Sequence, residues 1–268
     1  MNLIKFPSIN LELYTSKIAF SVFGIGVYKY AICIVLGAIL GLIFLMINSK
    51  IINYKYEDLI EKYVVTLIIG IIGARVFFVL FRFDDYKNNL LQILYIRDGG
   101  LAIFGGLIFG FLYLFLTYRK DKDKLFDILD LTAPSVSIAQ CIGRWGNFFN
   151  IEAYGTETTS FLRMGINTIN GYIEVHPTFL YESIATLLIF IVLEIILRRR
   201  KYKGQVVITY CFLYSASRSV IEGLRVDSLM IGAFRVSQIL SIIVLIFSLI
   251  LIVKNSRKMS YEKTNKYW

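Results

Sequence analysis

At the end of a long apolar run the chain reads Gly143-Arg144-Trp145-Gly146-Asn147-Phe148-Phe149-Asn150-Ile151-Glu152-Ala153-Tyr154-Gly155. The glycines let the backbone approach a ligand closely, and the planar guanidinium of Arg144 suits a phosphate or a carboxylate. The amides of Asn147 and Asn150 can donate and accept hydrogen bonds, while Glu152 can accept a proton or orient the arginine. The stretch therefore predicts a ligand site after an apolar segment. The alternative is a helix end broken by glycines, with an interfacial aromatic cluster and an Arg144–Glu152 ion pair.

The composition of the 268 residues places this site in a membrane protein. Hydrophobic residues make up 57% of the chain and charged residues 18%, with a mean hydropathy of +0.65, which is the balance of an integral membrane protein. Cys33, Cys141 and Cys211 belong to separate apolar runs, so they predict neither a disulfide framework nor a metal site. The polar start of the chain lacks the pattern of a removable signal peptide.

The apolar runs on either side of the central stretch predict the fold. A membrane-spanning helix needs about 20 predominantly apolar residues, and we predict an all-α integral membrane protein, a bundle of about seven such helices. They cover residues 28–48, 60–82, 99–118, 125–143, 178–197, 205–223 and 234–253. The segment from Ile18 to Val27 is also apolar but contains Gly24 and Gly26, so we interpret it as a short strand or an interfacial piece.

The basic residues orient this bundle. Seventeen of the 29 Lys and Arg residues fall in alternate loops and the tail, and such an excess marks the cytoplasmic side. We therefore predict an outside N-terminus and a cytoplasmic C-terminus. Residues 1–268 are expected to form one transmembrane domain, with a small extracytoplasmic, head-like insertion at 144–177 between spans four and five. The net charge of +10 then reflects topology and contact with anionic lipid, and nucleic-acid binding is not expected.

With this orientation, the unusual polar residues of the spans lie in the outer half of the bundle. An arginine near mid-bilayer costs about 2.5 to 3.5 kcal/mol on insertion scales and usually faces the bundle interior, so Arg75 is expected to have a partner there. Arg218 and Glu222 are four residues apart and could simply pair with each other. Together with Arg144, the two arginines would attract an anion, and the abundant anion of an outer leaflet is a phospholipid headgroup. The sequence therefore predicts a pocket for a lipid phosphate.

Several blocks of this sequence, spread over nearly the whole chain, together resemble the prolipoprotein diacylglyceryl transferases, which are integral membrane enzymes of bacteria. The blocks are Gly143 to Phe148 with Asn150, Glu152 and Gly155; His176-Pro177-Thr178 with Leu180-Tyr181-Glu182; Arg218 with Glu222-Gly223-Leu224-Arg225 and Asp227-Ser228-Leu229-Met230; Gly73-Ala74-Arg75; and Gly99-Gly100-Leu101-Ala102 with Gly105-Gly106. The combination of G-R-x-G-N-F with H-P-T-x-L-Y-E at this spacing is highly specific.

The resemblance implies transfer of the diacylglyceryl group from phosphatidylglycerol to the lipobox cysteine thiol of a preprolipoprotein, with a thioether formed and glycerol phosphate released. It implies a multi-pass protein of the bacterial plasma or inner membrane, whose partners are membrane lipids and the substrate signal peptide. Neither a metal nor a cofactor is expected. The alternative, from a different class, is a non-catalytic or divergent paralogue that binds or transports an anionic lipid or solute at the outer leaflet.

The resemblance also assigns roles to individual residues. Arg144 and Arg218 would hold the phosphate and stabilise the charge that builds on it as the carbon–oxygen bond breaks. The expected catalytic residues are Arg144, Arg218, Glu152, Tyr30 and Glu222. The expected substrate-binding residues are Arg144, Asn147, Asn150, Gly155, Arg75, His176 and Arg225.

The chain departs from the family pattern just before the second glycine pair of span three. The family usually has His there, and some members Tyr, whereas this chain has Phe104, which cannot accept a proton. The substrate thiol reacts only as a thiolate, so three explanations are open. The base is another group, such as Tyr30, Glu222 or His176; or the arginines lower the thiol pKa enough without a base; or the protein is a divergent paralogue with altered activity.

Overall fold

The helices and strands are those of a computed structural model that describes residues 2–52, 54–96, 99–169 and 171–265. The helices are α1 (Lys29–Ser49), α2 (Tyr56–Phe81), α3 (Phe83–Tyr86), α4 (Ile103–Tyr118), α5 (Lys122–Asn150), α6 (Thr178–Arg198), α7 (Gln205–Leu224) and α8 (Val236–Asn265). The strands are β1 (Asn2–Phe6), β2 (Leu11–Thr15), β3 (Ile18–Val22), β4 (Ile25–Tyr28), β5 (Met164–Thr168), β6 (Gly171–Val175), β7 (Met230–Ile231) and β8 (Phe234–Arg235).

A helix forms at each of the seven apolar segments of the sequence. In the described part of the chain, five of them (α1, α2, α5, α6 and α8) are long and apolar enough to cross a membrane. Helix α4 is apolar but has only 16 residues, and α7 contains Arg218 and Glu222 among its 20 residues. The protein is therefore a helical integral membrane protein, while the number of seven spans and their orientation stay predictions.

The prediction of an all-α protein needs correction, because short strands in the described residues form three antiparallel sheets beside the helices. Only the segment from Ile18 to Val27 had been interpreted as a possible strand, and β3 and β4 confirm it. The largest sheet, named the head sheet below, has the order β2-β1-β5-β6 and joins the N-terminal strands to the segment after α5. In β1 the core residue Ile4 alternates with the solvent-facing Lys5, which forms a salt bridge with Glu12, and this period of two is that of a half-buried strand.

The helix that holds the fourth predicted span, residues 125–143, is longer than that span, because α5 continues to Asn150. A glycine inside a helix costs only about 1 kcal/mol relative to alanine, so Gly143 and Gly146 do not end it. Arg144 and Asn147 therefore lie on the last turns of a helix, and the predicted head-like insertion at 144–177 begins within α5. The segment from Ile151 to Pro177 holds the β5–β6 hairpin.

The chain forms two compact units, Met46–Ile128 and the remainder, Met1–Leu45 with Leu129–Trp268. In the larger unit, the four-stranded sheet packs through Ile4 and Ile166 on Phe148 of α5 and Phe179 of α6. The sheet therefore packs on the last turns of α5, which contain the first part of the central stretch, and on the first turn of α6. Further along, α6 packs on α7 and α7 on α8.

Asp130 ties the opposite end of α7 to α5. Its buried carboxylate accepts hydrogen bonds from the backbone N–H of Gly204 (2.8 Å) and Val207 (2.9 Å) and from Nη1 of Arg200 (3.1 Å). A carboxylate at these N–H groups satisfies donors that the first turn of a helix leaves open. Asp130 thus caps α7 from a neighbouring helix.

In the smaller unit, glycines bring α2 and α4 into close contact. A Cβ on Gly73 would lie 2.8 Å from the carbonyl oxygen of Gly105, and one on Gly105 would overlap Phe77. Gly106 and Gly110 face α2 in the same way. The glycines of this segment therefore serve helix packing, as small residues do between membrane helices.

Candidate functional site

The end of α5 meets α6 and α7 at one buried carboxylate. Glu182 of α6 lies with Oε2 2.5 Å from Nε of Arg144 on α5, and its Oε1 accepts a hydrogen bond from Nη1 of Arg218 on α7. Glu182 is 5% exposed. The two arginines that the sequence proposed as the phosphate site are therefore brought together, and a third residue holds them there.

The ion-pair network continues along α7 to its end. Nη2 of Arg218 lies 2.5 Å from Oε2 of the buried Glu222, which is the pairing that their spacing in the sequence left open. Arg225, just past the last turn, donates from Nε and Nη2 to the two carboxylate oxygens of Asp227, both at 3.0 Å. Such a bidentate pair fixes the plane of the guanidinium.

The network balances three guanidinium groups against three carboxylates, namely Arg144, Arg218 and Arg225 against Glu182, Glu222 and Asp227. Within the described part of the chain, no hydrogen bond reaches the two terminal amino groups of Arg144, whose contact with Glu182 uses Nε. Its side chain is 23% exposed. Arg144 can therefore donate to an added anion while its position stays fixed by Glu182.

Glu152 does not pair with Arg144, contrary to the alternative reading of the central stretch. Its Oε1 accepts hydrogen bonds from Nδ2 of Asn147 (2.9 Å) and of Asn150 (3.2 Å). The turn that returns Glu152 to α5 places Ile151 and Ala153 at φ of 53° and 55°. A β-branched residue in the left-handed region costs about 1 to 3 kcal/mol, which the surrounding contacts must offset. The three polar residues thus form a separate, organised group at the helix end.

Tyr30, in the first turn of α1, lies against the central stretch. A Cβ on Gly146 would be 2.5 Å from Cδ2 of the Tyr30 ring. Only a glycine at this position lets the ring contact the helix backbone so closely. Tyr30 is therefore held two residues along the helix from Arg144.

Backbone hydrogen bonds connect the end of the central stretch to the start of α6 and to the end of α7. The N–H of Gly155 donates to the carbonyl of His176 (2.9 Å), and the N–H of Thr156 donates to the carbonyl of Leu224 (2.8 Å). A Cβ on Gly155 would lie 2.7 Å from Cβ of His176 and 3.0 Å from the Leu224 carbonyl oxygen. Nδ1 of His176 lies 3.1 Å from the hydroxyl of Tyr181. The backbone junction thus requires a glycine.

Arg75 belongs to the smaller unit, where it binds a loop. Its guanidinium donates to five carbonyl oxygens, with distances of 2.7 to 3.5 Å. They belong to Gln92, Ile93, Tyr95, Gly99 and Gly100. An arginine has five N–H donors, so these bonds use all of them. Arg75 thus has the contacts of a residue that organises a loop, and its role in substrate binding stays a prediction.

Sequence reasoning missed Glu182. The residue stands in the block His176 to Glu182, and the signal was present, because a carboxylate in an apolar span normally has a partner and a function.

Another pair that was missed lies one turn before Arg144, where the hydroxyl of Tyr210 donates to Oε1 of Gln140 at 3.0 Å. The described residues contain no group of three or more His, Cys, Asp and Glu side chains placed to hold a metal ion.

Comparison with known proteins gives a consistent result. The family model for prolipoprotein diacylglyceryl transferase matches residues 17–254. A phosphatidylglycerol–prolipoprotein diacylglyceryl transferase of Clostridium botulinum is 43% identical over 253 residues, which are 91% of this chain and 98% of that protein. The enzymes of the same name from Finegoldia magna and Clostridium kluyveri are 43% and 42% identical, over 90% and 87% of this chain and 96% and 93% of theirs.

Proposed function

The chain belongs to the prolipoprotein diacylglyceryl transferase family, and we propose on that premise that it transfers the diacylglyceryl group of phosphatidylglycerol to the lipobox cysteine thiol of preprolipoproteins. The observation that carries the proposal is the bridge of Glu182 between Arg144 and Arg218. It holds two guanidinium groups from different helices side by side, as recognition of a phosphodiester requires.

The proposed setting is the bacterial plasma or inner membrane, with about seven spans. Helices α4 and α7 would complete the bundle, because polar residues such as Arg218 and Glu222 are tolerated in a span that faces the protein interior. The excess of basic residues in alternate loops supports an outside N-terminus and a cytoplasmic C-terminus. The end of α5 and the β5–β6 hairpin would then face outward, as a small head of a single transmembrane domain.

In the proposed reaction, the thiolate sulfur attacks the glyceryl carbon that is bonded to the phosphate oxygen. A carbon–sulfur bond forms, the carbon–oxygen bond breaks, and its electron pair passes to the phosphate oxygen, so that glycerol phosphate leaves. The terminal amino groups of Arg144 and the guanidinium of Arg218 would donate to the phosphate oxygens on which charge builds. Donors fixed in advance by Glu182 and Glu222 stabilise that charge without reorganising during the step.

The remaining site residues would position the headgroup. Asn147, Asn150 and Glu152 form one hydrogen-bonded group on the last turns of α5, and they offer both donors and acceptors to the glycerol hydroxyls. Tyr30 would close the side of the pocket next to Gly146. Gly155 and Arg225 would contribute through their antiparallel backbone bridge, which sets the spacing between the central stretch and the end of α7.

Because Phe104 cannot accept the thiol proton, we assign the base to His176. The carboxylate of Glu222 is already held in an ion pair with Arg218, where it positions the guanidinium. The hydroxyl of Tyr30 belongs to a ring packed against Gly146, whereas the imidazole of His176, the one histidine of the sequence, has a nitrogen that can accept a proton. The network of three arginines and three carboxylates has no net charge. This weakens the explanation that the arginines alone lower the pKa of the substrate thiol. A His176→Gln variant should lose turnover in the transfer assay, and unchanged turnover would remove His176 from the reaction.

The test of the proposal uses purified protein in detergent with phosphatidylglycerol and a lipobox peptide, and mass spectrometry of the peptide. We expect the peptide to gain a diacylglyceryl group with the unmodified protein and not with Arg144→Ala. Arg163→Ala is the matched control, because Arg163 is also partly buried and pairs with a glutamate, Glu174, at 2.6 Å. If both variants keep full turnover, the proposed phosphate site is wrong.

Phe104 is the feature that favours the alternative, a non-catalytic protein that binds an anionic lipid or solute with the same arginines. A Phe104→His variant separates the two functions. If the variant forms the thioether product and the natural sequence forms none, the natural protein is the non-catalytic binder.

A further inference from the structure

The β3–β4 hairpin, residues Ile18 to Tyr28, has no role in the proposed chemistry. It is a two-stranded antiparallel sheet whose base is closed by the backbone hydrogen bond from Lys29 to the carbonyl of Lys17 at 2.9 Å. Between these two lysines the eleven residues contain no charged side chain. The hairpin is therefore an uncharged projection with a lysine at each end of its base.

The large side chains of the hairpin are exposed. Phe23, at the tip, is 100% exposed and has a φ of 49°, and Phe20, Val22 and Ile25 are between 45% and 55% exposed. A two-stranded hairpin is only marginally stable by itself in water, and a contiguous exposed apolar surface marks an interaction site. Some apolar surface must therefore cover it.

The strand register gives the hairpin two different faces. Phe20 pairs with Val27 and Val22 with Ile25, and directly paired residues share one face of a sheet. Between these pairs, Ser21 pairs with Gly26 and belongs to the opposite face. One face near the tip is thus entirely apolar, while the other has Ser21 and Gly26, with the Ile18 side chain over Gly26. The larger continuous apolar surface at the tip is therefore on the Phe20 face, which is the side we expect to meet a membrane surface.

The connection to α1 places this apolar face at the edge of the bilayer. Strand β4 ends at Tyr28 and α1, one of the five helices able to cross a membrane, begins at Lys29 without a linker. The outer edges of a two-stranded sheet carry unpaired backbone groups, which cannot be placed in the hydrocarbon core but can be hydrated at the interface. Lys17, which is exposed, stands where a long basic side chain reaches lipid phosphates, whereas the ammonium group of Lys29 donates to Oγ1 of Thr15 at 3.5 Å and lies 5.0 Å from the centroid of the Phe149 ring.

We propose that the β3–β4 hairpin lies flat on the lipid surface at the start of α1, with Phe20, Val22, Phe23 and Ile25 inserted among the upper acyl chains. The hairpin fixes the depth of the first turn of α1 in the membrane. This placement stands apart from the proposed catalytic function and can be tested without measuring activity.

The test measures tryptophan fluorescence in vesicles of phosphatidylcholine and phosphatidylglycerol brominated either near the glycerol backbone or near the acyl-chain ends. The emission of the unmodified protein, which has two tryptophans, is subtracted. Phe23→Trp should lose more of its emission with the shallow than with the deep bromine. Ile169→Trp is the matched control, because Ile169 is equally exposed, at 104%, beside the turn of the charged head sheet; it should be quenched by acrylamide from the water.

A second pair of variants tests the orientation of the hairpin. Phe20→Trp on the apolar face should lose more emission to shallow bromine than Ser21→Trp on the opposite face. Equal quenching of this pair would overturn the flat orientation. If Phe23→Trp behaves like Ile169→Trp, or if its emission responds only after a lipobox peptide is added, the hairpin does not contact lipid, and in the second case it binds the peptide instead.

Discussion

Replacing Glu182 by glutamine separates the positioning of the two arginines from their attraction for an anion. The substitution keeps the shape of the side chain but removes the charge that Arg144 and Arg218 share. Three guanidinium groups then face two carboxylates, so an anionic phosphodiester should bind at least as well as before. What is lost is the fixed separation of the donors from α5 and α7.

The expected magnitudes follow from the burial of the network. Removing one partner of a fully buried ion pair costs about 3 to 5 kcal/mol. Because the side chain of Arg144 is 23% exposed and solvent screens part of the pair, we expect a loss of about 2 to 4 kcal/mol in the free energy of unfolding. A displacement of about 1 Å at a reacting centre lowers the rate on the order of 10²-fold, so kcat should fall by about that factor.

The assay is steady-state transfer to a lipobox peptide at varied phosphatidylglycerol, with thermal unfolding in the same detergent. Glu182→Gln should lower kcat without raising KM for the lipid, and Glu182→Asp, which keeps the charge on a shorter side chain, should recover part of kcat. Glu174→Gln, which breaks the Arg163 pair of the head sheet, should leave kcat unchanged. The reasoning fails if Glu182→Gln raises KM at constant kcat, or if Glu174→Gln lowers kcat as much.

Three further predictions concern residues around the site. Arg75→Lys has three donors for five loop carbonyls, so amide hydrogen exchange across residues 87–96 should accelerate. Arg82→Lys, at an exposed pair, should leave that exchange unchanged, and equal exchange in both variants would show that Arg75 does not organise the loop. Gly146→Ala should displace Tyr30 and lower turnover in the transfer assay, while Gly143→Ala, whose Cβ would be 3.5 Å from Ile34 Cδ1, should be tolerated; the opposite order would contradict the packing argument. Asp130→Asn should lower the free energy of unfolding in denaturant titration by about 2 to 4 kcal/mol. It should leave kcat/KM unchanged, because Arg218 lies about 20 Å along α7 from the end that Asp130 caps. A large fall in kcat/KM would contradict that separation.

The sequence predicted the helices well because a spanning segment has to be long and apolar, and that pattern is local. It did not predict the head sheet, because β1 and β5 are about 160 residues apart and neither strand has more than five residues. The pairing of Arg218 with Glu222 could be expected from their spacing on one helix. The bridge by Glu182 could not, because it depends on which faces of α5 and α6 meet.

Those faces are set by apolar contacts one turn away from the ion pair. Phe148 follows Arg144 by four residues on α5, and Phe179 precedes Glu182 by three on α6, so each aromatic ring shares a helix face with its charged neighbour. The two rings have centroids 5.0 Å apart and pack under Ile4 and Ile166 of the head sheet. The apolar contact therefore fixes the approach of the two helices, and the distance from Arg144 to Glu182 follows from it. Because desolvation offsets much of the gain from a buried ion pair, the pair alone is a weak source of the stability that holds α5 against α6. The hydrophobic cluster supplies that stability, and the head sheet is then a structural part of the site.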